Sequence, residues 1–358
     1  MTRLPIICMT LVMLFIAGCA TGMGPRAIER DRFAYTDAIS DSWKSQMLLN
    51  IVKLRYADAP IFLDISSIIS QQLLETELQG TASWNAFLPT DSQTLGARGK
   101  YADRPTITYQ PLMGEKFTRS LMTPIRPAAI LSLVQAGRPV DIVFRVCIES
   151  VNGIYNRVGG RARPRAGDPD FYRLISSLRK IQESMAVGIR IQETEDGRQT
   201  ILISFRKKNI DPAVAAEMKT VREILGLNLE SQEHEVVYGA IPKDDQEIAM
   251  LSRSMLEVLE ELASCIEVPD VHVAEKRAAP TFADDTDMAG SVPPLVRVQS
   301  DGEEPADAFA AVSYRDHWFW IDDKDFRSKK MFSFLMFLFT LAETGTPQQA
   351  PVLTIPTG

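Results

Sequence analysis

The sequence has 358 residues, of which 45% are hydrophobic and 24% are charged, and its formal net charge at pH 7 is −7. A net acidic surface repels nucleic acid and anionic lipid. Since no cluster of basic residues offsets this charge, we expect no nucleic-acid partner. The length and apolar content are sufficient for two modest hydrophobic cores.

Residues 1–18 have the composition of an export signal. Arg3 supplies positive charge, an apolar run covers residues 4–16, and small residues precede Cys19. The run is well short of the roughly 20 residues that a membrane-spanning helix needs. We therefore expect the segment to be removed. The mature chain then has 38 Lys and Arg, since Arg3 is lost, against 46 Asp and Glu, a formal net charge of −8.

The end of this segment, Ile16-Ala17-Gly18-Cys19, resembles the lipobox of bacterial lipoproteins. That resemblance implies cleavage before Cys19, a thioether-linked diacylglycerol on its sulfur, and an acyl chain such as palmitate on its amino group. Several acyl chains give stable anchoring. In the sorting rule of that class, Asp after the cysteine favours the inner membrane, so Ala20 implies the outer membrane, facing the periplasm. The alternative is an ordinary cleaved signal with an incidental cysteine.

The mature chain is predicted to begin with a tether at 19–33, followed by an N-terminal α+β domain at 34–160. Within that domain, alternating polar and apolar residues predict a long β-hairpin over 72–109 with one polar and one apolar face. The other predicted elements are helices over 37–56, 116–122, 127–135 and 141–151, and a strand over 61–65. The segment 141–151 fits a strand almost as well; as a helix it would be closed by Asn152-Gly153 in a left-handed cap.

A second α+β domain is predicted at 168–275, in the order α-β-β-α-β-α. Its elements are helices over 171–185 and 212–225, strands over 187–191, 201–205 and 235–238, and a long helix over 246–265. The last helix is predicted from apolar residues at helical spacing, namely Ile248, Leu251, Met255, Leu259 and Leu262.

The C-terminal part is predicted to be a mobile linker at 276–306 followed by a β-α-β unit at 307–358 that packs on the preceding domains. The unit comprises a strand over 311–321, a helix over 326–341 and a final strand over 352–355. Together these elements predict an α+β fold, with antiparallel sheet elements covered by helices in two or three small modules.

Few residues suggest catalysis or metal binding. His234, His272 and His317 are widely separated in sequence, and no familiar catalytic or metal motif is present. Asp322, Asp323 and Asp325 could hold a hard cation, but the glycine turn and distal Glu of an EF-hand are missing. Capping of the following helix is the favoured alternative for these acids. The sequence implies no cofactor.

Two further pairs of residues have alternative interpretations. Cys147 and Cys265 could form a disulfide in an oxidising compartment, although buried free thiols are commoner on apolar helix faces. Trp318 and Trp320 share one face of a strand and could stack against a ligand, but packing against the helix at 326–341 is favoured.

The predicted hairpin also leaves two alternatives open. The segment 74–86 is long enough for a membrane-inserted strand, with Trp84 near one end. Soluble sheets show the same alternation, and the thin apolar face favours a soluble sheet that could pair with a partner strand.

Several segments resemble a family of uncharacterised proteobacterial outer-membrane lipoproteins. These are Ser42-Trp43-Lys44 through Leu54-Arg55-Tyr56, the run Arg104 to Tyr109, and Trp318 to Asp323 with Ser328-Lys329. The resemblance implies localisation and architecture but transfers no catalytic residue. We therefore expect a lipid-anchored structural or assembly component of an envelope complex, with protein partners or as a homo-oligomer. The alternatives are an envelope-directed hydrolase with unidentified carboxylates and a ligand-binding module.

Overall fold

The protein has an α+β fold in two compact units, with helices packed on antiparallel and mixed sheets. The computed structural model describes residues 25–69, 72–83, 92–103, 106–160, 164–193, 199–206, 210–281 and 293–342. The first unit comprises residues 1–60 and 118–344, and the second comprises residues 61–117 and 345–358. The predicted final strand at 352–355 lies outside the described residues. Within the described residues, no helix is long and apolar enough to cross a membrane.

The elements are numbered in chain order. The helices are α1 (Pro25–Arg55), α2 (Glu115–Met122), α3 (Pro127–Gln135), α4 (Val140–Cys147), α5 (Pro169–Glu183), α6 (Pro212–Leu225), α7 (Met255–Ser264), α8 (Asp270–Ala274) and α9 (Phe326–Ala342). The strands are β1 (Phe62–Ile69), β2 (Gln72–Ser83), β3 (Ser92–Asp103), β4 (Thr106–Leu112), β5 (Ile148–Val151), β6 (Ile154–Tyr155), β7 (Val187–Glu193), β8 (Gln199–Phe205), β9 (Glu233–Tyr238), β10 (Glu247–Ser252), β11 (Gln299–Asp301), β12 (Ala308–Tyr314) and β13 (His317–Asp322).

The first helix is longer than predicted. It begins at Pro25, a residue whose fixed φ suits the first helical turn, so the part of the predicted tether from that point onward is helical. Met47, Leu48 and Ile51 lie on its buried face, which packs against α7 and β12. The C-terminal part of α1 is thus a core element of the first unit.

A six-stranded mixed sheet, in the order β6-β5-β10-β9-β8-β7, forms the centre of the first unit. Neighbouring strands are antiparallel except β9 and β10, which are parallel. Strands of both predicted domains, 34–160 and 168–275, share this sheet. The predicted boundary between those domains therefore differs from the observed division, in which the β1–β4 segment is the separate unit.

The long helix predicted over 246–265 is wrong in its first half. The residues from Ile248 to Met250 are buried in β10, which lies between β5 and β9 and is covered on both faces. Such a strand has no polar face, so its apolar run can be mistaken for the stripe of a helix. The helix α7 begins only after Ser254, whose hydroxyl and the Glu257 carboxylate form a capping box.

The segment 141–151 is a helix followed by a strand, so each alternative is correct for part of it. Asn152 and Gly153 have φ of 47° and 77°, but they form the two-residue turn between β5 and β6, which pair at Val151 and Ile154. The left-handed conformation was predicted correctly; its role as a helix cap was wrong.

The C-terminal part of the first unit is a three-stranded sheet, in the order β11-β13-β12, with the confirmed helix α9 after it. The strand predicted over 311–321 is a hairpin, with Arg315 and Asp316 as its turn. The predicted mobile linker is wrong over 293–301, because Leu295, Val296 and Val298 are buried and β11 pairs with β13.

The second unit is built from paired strands, as the predicted hairpin requires. β1 pairs with β4, and Phe62 on β1 is buried with its ring centroid 5.8 Å from that of Phe117. β2 pairs with β3 in an unbroken antiparallel register from Gln72↔Asp103 to Ser83↔Ser92. We refer to this last pair as the β2–β3 hairpin.

Candidate functional site

A group of aromatic, titratable and charged side chains lies where three segments of the first unit meet. We call it the His272 cluster. Its members come from the end of α1, from α8, and from the turn of the β12–β13 hairpin: Tyr56, Asp58, His272, Tyr314, Arg315 and His317.

Tyr56 and His272 form the buried centre of the cluster. The Tyr56 hydroxyl lies 2.7 Å from Nδ1 of His272, at hydrogen-bond distance, and their exposed fractions are 5% and 4%. The rings of His272 and His317 meet edge to face with centroids 4.8 Å apart. The fold therefore brings together two histidines whose sequence positions had suggested separation.

The β12–β13 turn covers the cluster on its solvent side. Arg315 lies over the Tyr56 ring, 5.1 Å from its centroid, and donates a 3.1 Å hydrogen bond to Oδ2 of Asp58. Tyr314 donates its hydroxyl proton to the same oxygen. Arg315 and Asp316 both have positive φ, which non-glycine residues adopt at a steric cost. The surrounding contacts hold the turn in this conformation.

Burial and neighbouring cations keep His272 neutral. Burial is the main cause that lowers the pKa of its imidazole, and His317, Arg277 and Arg315 lower it further, while Glu275 opposes them. In a neutral imidazole one ring nitrogen carries the proton and can donate it, and the other ring nitrogen can accept one. His272 is therefore suited either to proton transfer or to a pH-sensitive structural contact.

Tyr56 is held in its protonated form. Burial raises the pKa of its phenol, although the charges of Arg55 and Arg315 act in the opposite direction. Asp58 has a lowered pKa because Tyr314 and Arg315 donate hydrogen bonds to its carboxylate. At neutral pH the cluster thus contains the ionised carboxylate of Asp58, the guanidinium cation of Arg315 over the Tyr56 ring, and the neutral pair of Tyr56 and His272.

Acidification is expected to destabilise the protein in part through His272. Since its folded-state pKa is lowered, the unfolded chain takes up this proton first as pH falls. Its stabilising contribution is complete above about pH 6.5 and decreases as pH falls from there toward the lowered pKa. Urea titrations between about pH 5 and pH 8 should show a shallower pH dependence for His272→Gln than for the wild type.

The control for this prediction is Tyr56→Phe, which removes the hydrogen bond but keeps the titrating imidazole. In both variants the free energy of unfolding should be lower by about 1 kcal/mol at the alkaline end of the range. Only His272→Gln should also show a shallower dependence of that free energy on pH. Equal slopes for His272→Gln and the wild type would contradict the assignment.

A second polar group, the Arg253 network, lies under α7. Arg253 is 3% exposed and donates to the carbonyl oxygens of Arg145 at 3.1 Å, Val146 at 3.3 Å and Arg157. Arg157 in turn donates to Oε1 of the buried Glu261 at 2.8 Å. The contacts of the buried Arg253 guanidinium with three backbone carbonyls indicate a structural role.

In the predicted acidic cluster, Asp325 caps the following helix α9, which is the alternative that the sequence favoured. Asp325 accepts hydrogen bonds from the backbone and hydroxyl of Ser328 at 3.0 and 2.7 Å, which lower the pKa of the carboxyl. Asp323 pairs with Lys329 at 2.6 Å, and Asp322 accepts from the backbone of Lys324. Within the described residues no group of three or more His, Cys, Asp or Glu could hold a metal ion.

Asp322 also lies far from the His272 cluster. His317 is the first residue of β13 and Asp322 is the last, so the strand separates them by roughly 17 Å at about 3.3 Å per residue. His317 and Asp322 therefore do not belong to one site.

The two candidate disulfide cysteines are both free thiols in the structure. Burial raises the pKa of the Cys147 thiol to about 12. Burial also raises the pKa of Cys265, although Arg157 donates to its sulfur at 2.9 Å and opposes the shift. The alternative of separate free thiols therefore fits both residues, with Cys147 buried and Cys265 partly buried. Cys19, the predicted lipidation site, lies outside the described residues.

The remaining candidates from the sequence, Trp318, Trp320 and His234, lie on strands of the first unit. Phe319 is fully buried on β13, whereas Trp318 and Trp320 are half-buried, so packing of the two tryptophans against the helix at 326–341 stays a prediction. His234 is buried on β9 beside Phe205, with ring centroids 6.2 Å apart. Burial, then the charge of Arg222, lowers the pKa of His234.

Sequence reasoning missed Tyr56, Asp58 and Arg315. Tyr56 and His272 are 216 positions apart, and no local pattern connects them. The turn between β12 and β13 has Arg-Asp where Asn-Gly is the usual signal, so the hairpin itself was hidden.

The β2–β3 hairpin is the remaining candidate, as a surface for association. Within the described residues, β2 and β3 pair only with each other, so each has one backbone edge without a neighbouring strand. Such edges are templates for strand pairing with another chain.

Comparison with family models, with curated proteins and with solved structures found no match to this chain.

Proposed function

We propose that the protein is a lipid-anchored component of the outer membrane that faces the periplasm and assembles or holds an envelope complex through its β2–β3 hairpin. The observation that carries the proposal is the hairpin itself, with twelve residues in each strand and, among the residues that the structure describes, no third strand paired to either outer edge. An isolated two-stranded hairpin is marginally stable in water, so a long one benefits from a further strand or a covering surface.

The anchor supports the same proposal. The lipid that the lipobox resemblance implies on Cys19 would hold the protein at a membrane. An association surface there meets its partners at high local concentration. The first unit would then serve as the folded body that presents the hairpin.

Three versions of the protein test this function: the wild type, Cys19→Ala, and a hairpin-deleted variant in which Asn-Gly replaces residues 70–105. Ile69 and Thr106 are paired in β1 and β4, so a two-residue turn can join them. We expect the wild type to fractionate with the outer membrane and to co-purify with envelope proteins after crosslinking. Cys19→Ala should move to the soluble fraction.

The hairpin-deleted variant is the specific arm of this experiment. It should stay at the membrane and keep the thermal stability of the first unit, but lose the crosslinked partners. Unchanged partners in this variant would contradict the role of the hairpin. Unchanged fractionation of Cys19→Ala, or failure of the wild type to incorporate a lipid probe, would contradict the anchor.

A further inference from the structure

The charged residues of the β2–β3 hairpin are segregated by strand. Within β2 the charged residues are Glu75 and Glu77, both acidic. The charged residues of β3 are Arg98 and Lys100, with Asp103 at its last position. One open edge of the hairpin therefore belongs to an acidic strand and the other to a strand with two bases.

The register places these charges on one face. Glu75 is opposite Lys100, and Glu77 is opposite Arg98. Residues directly opposite in an antiparallel pair, and residues two apart in one strand, lie on the same face of a sheet. The other face has Leu74, Leu78, Leu95 and Tyr101 at its register positions, so it is mainly apolar.

We propose that this hairpin pairs with the same hairpin of a second copy of the chain, the β2 edge of one copy against the β3 edge of the next. The inference rests on the proposed assembly function and names its partner. The order β2, β3, β2, β3 keeps neighbouring strands antiparallel across the junction, as within the hairpin.

The same register can be used on both sides of each strand. In an antiparallel ladder the N–H and C=O of successive residues point alternately to the two neighbours, so opposite residues alternate between hydrogen-bonded and non-hydrogen-bonded pairs. A position bonded inward is then non-bonded outward, with no change of register. Glu75 and Glu77 of one copy would again lie opposite Lys100 and Arg98 of the other.

Charge complementarity explains why the partner is another copy. Opposite charges directly across an antiparallel pair are favourable and like charges are unfavourable. Two β2 edges would oppose acid to acid, and two β3 edges would oppose base to base, so the charges select the β2-to-β3 pairing. The junction would also extend the apolar face from copy to copy.

The test uses the full lipidated chain in detergent and measures its assembled mass by sedimentation velocity at low ionic strength. The β2-basic variant has Glu75→Lys and Glu77→Lys, and the β3-acidic variant has Arg98→Glu and Lys100→Glu. The wild type should contain two or more copies. Each variant alone should have a dissociation constant about tenfold or more above that of the wild type, because both cross-strand pairs become repulsive.

Mixing the two variants provides the decisive arm. A basic β2 edge then meets an acidic β3 edge, so an equimolar mixture should recover the assembled mass. A variant with all four substitutions restores opposite charges within its own hairpin and should assemble with itself but not with the wild type. Because this variant keeps the intramolecular pairs complementary, it separates association from folding of the hairpin.

Failure of this inference can be distinguished from failure of the proposed function. A wild type that is a single copy at every concentration would overturn the inference. Assembly that is unaffected by either variant would overturn it as well. In both cases crosslinked partners lost on hairpin deletion would still support the proposed function.

Discussion

Replacing Arg253 with methionine is expected to lower the free energy of unfolding by about 3–5 kcal/mol, the usual cost of removing one partner from a buried charge network. Methionine is unbranched and apolar, so it can occupy much of the space of the arginine stem. The loss should therefore come from hydrogen bonds and charge rather than from an empty cavity.

Two consequences of the substitution add together. The carbonyl oxygens of Arg145, Val146 and Arg157 each lose a donor. In addition, Glu149 and Glu261 are buried carboxylates near the guanidinium, and they lose its positive charge. A buried polar group left with no partner costs about 1–3 kcal/mol. The carbonyl of Arg145 keeps the amide donor of Asn156, and Glu261 keeps Arg157, so the total stays at about 3–5 kcal/mol.

Urea denaturation followed by far-UV circular dichroism measures the effect. The matched control is Arg173→Met on the exposed face of α5, where Arg173 has a side chain 66% exposed and pairs with Asp170. The control should change stability by less than about 1 kcal/mol, as exposed ion pairs do. A loss for Arg253→Met no larger than for Arg173→Met would contradict the structural role of the network.

The elements that sequence predicted well are those whose periodicity reflects one buried face. The helices α6 and α9 and the β2–β3 hairpin were predicted because each has a recognisable polar side, a terminal signal or both. β10 was missed because it is buried on both faces and joins a helix after only two residues. Its pairing was also unexpected, since only residues 239–246 link the parallel strands β9 and β10, and such links ordinarily need about a dozen residues.

Contacts of the candidate sites were predictable where the residues that form them are close together in the sequence. The helix cap at Asp325 follows from adjacent residues and was predicted as the favoured alternative. The contact of His272 with Tyr56 depends on the packing of α8 against the end of α1, which no local pattern encodes. Arg253 follows an apolar segment in sequence, and only the sheet shows why a charge is retained there: it binds carbonyls at the end of α4 and in the segment after β6.

Gly160→Ala is expected to destabilise the protein by about 1–3 kcal/mol, the usual cost of overpacking. The loop 157–160 passes directly over α7, and a Cβ at position 160 would lie 2.6 Å from the backbone carbon and oxygen of Glu260. Because these are main-chain atoms of a helix, no side-chain rotation can relieve the contact. The loop would have to move away from α7.

That movement has a specific consequence for the buried charges. The backbone N–H of Gly159 donates to Oε2 of Glu261 at 2.6 Å, so lifting the loop would remove a hydrogen bond from a buried carboxylate. Gly302→Ala is the control, because a Cβ there meets no atom within 4 Å and the φ of Gly302 is not in the left-handed region. It should be neutral within about 0.5 kcal/mol. Equal midpoints for the two variants in urea would show that the loop does not need glycine at position 160.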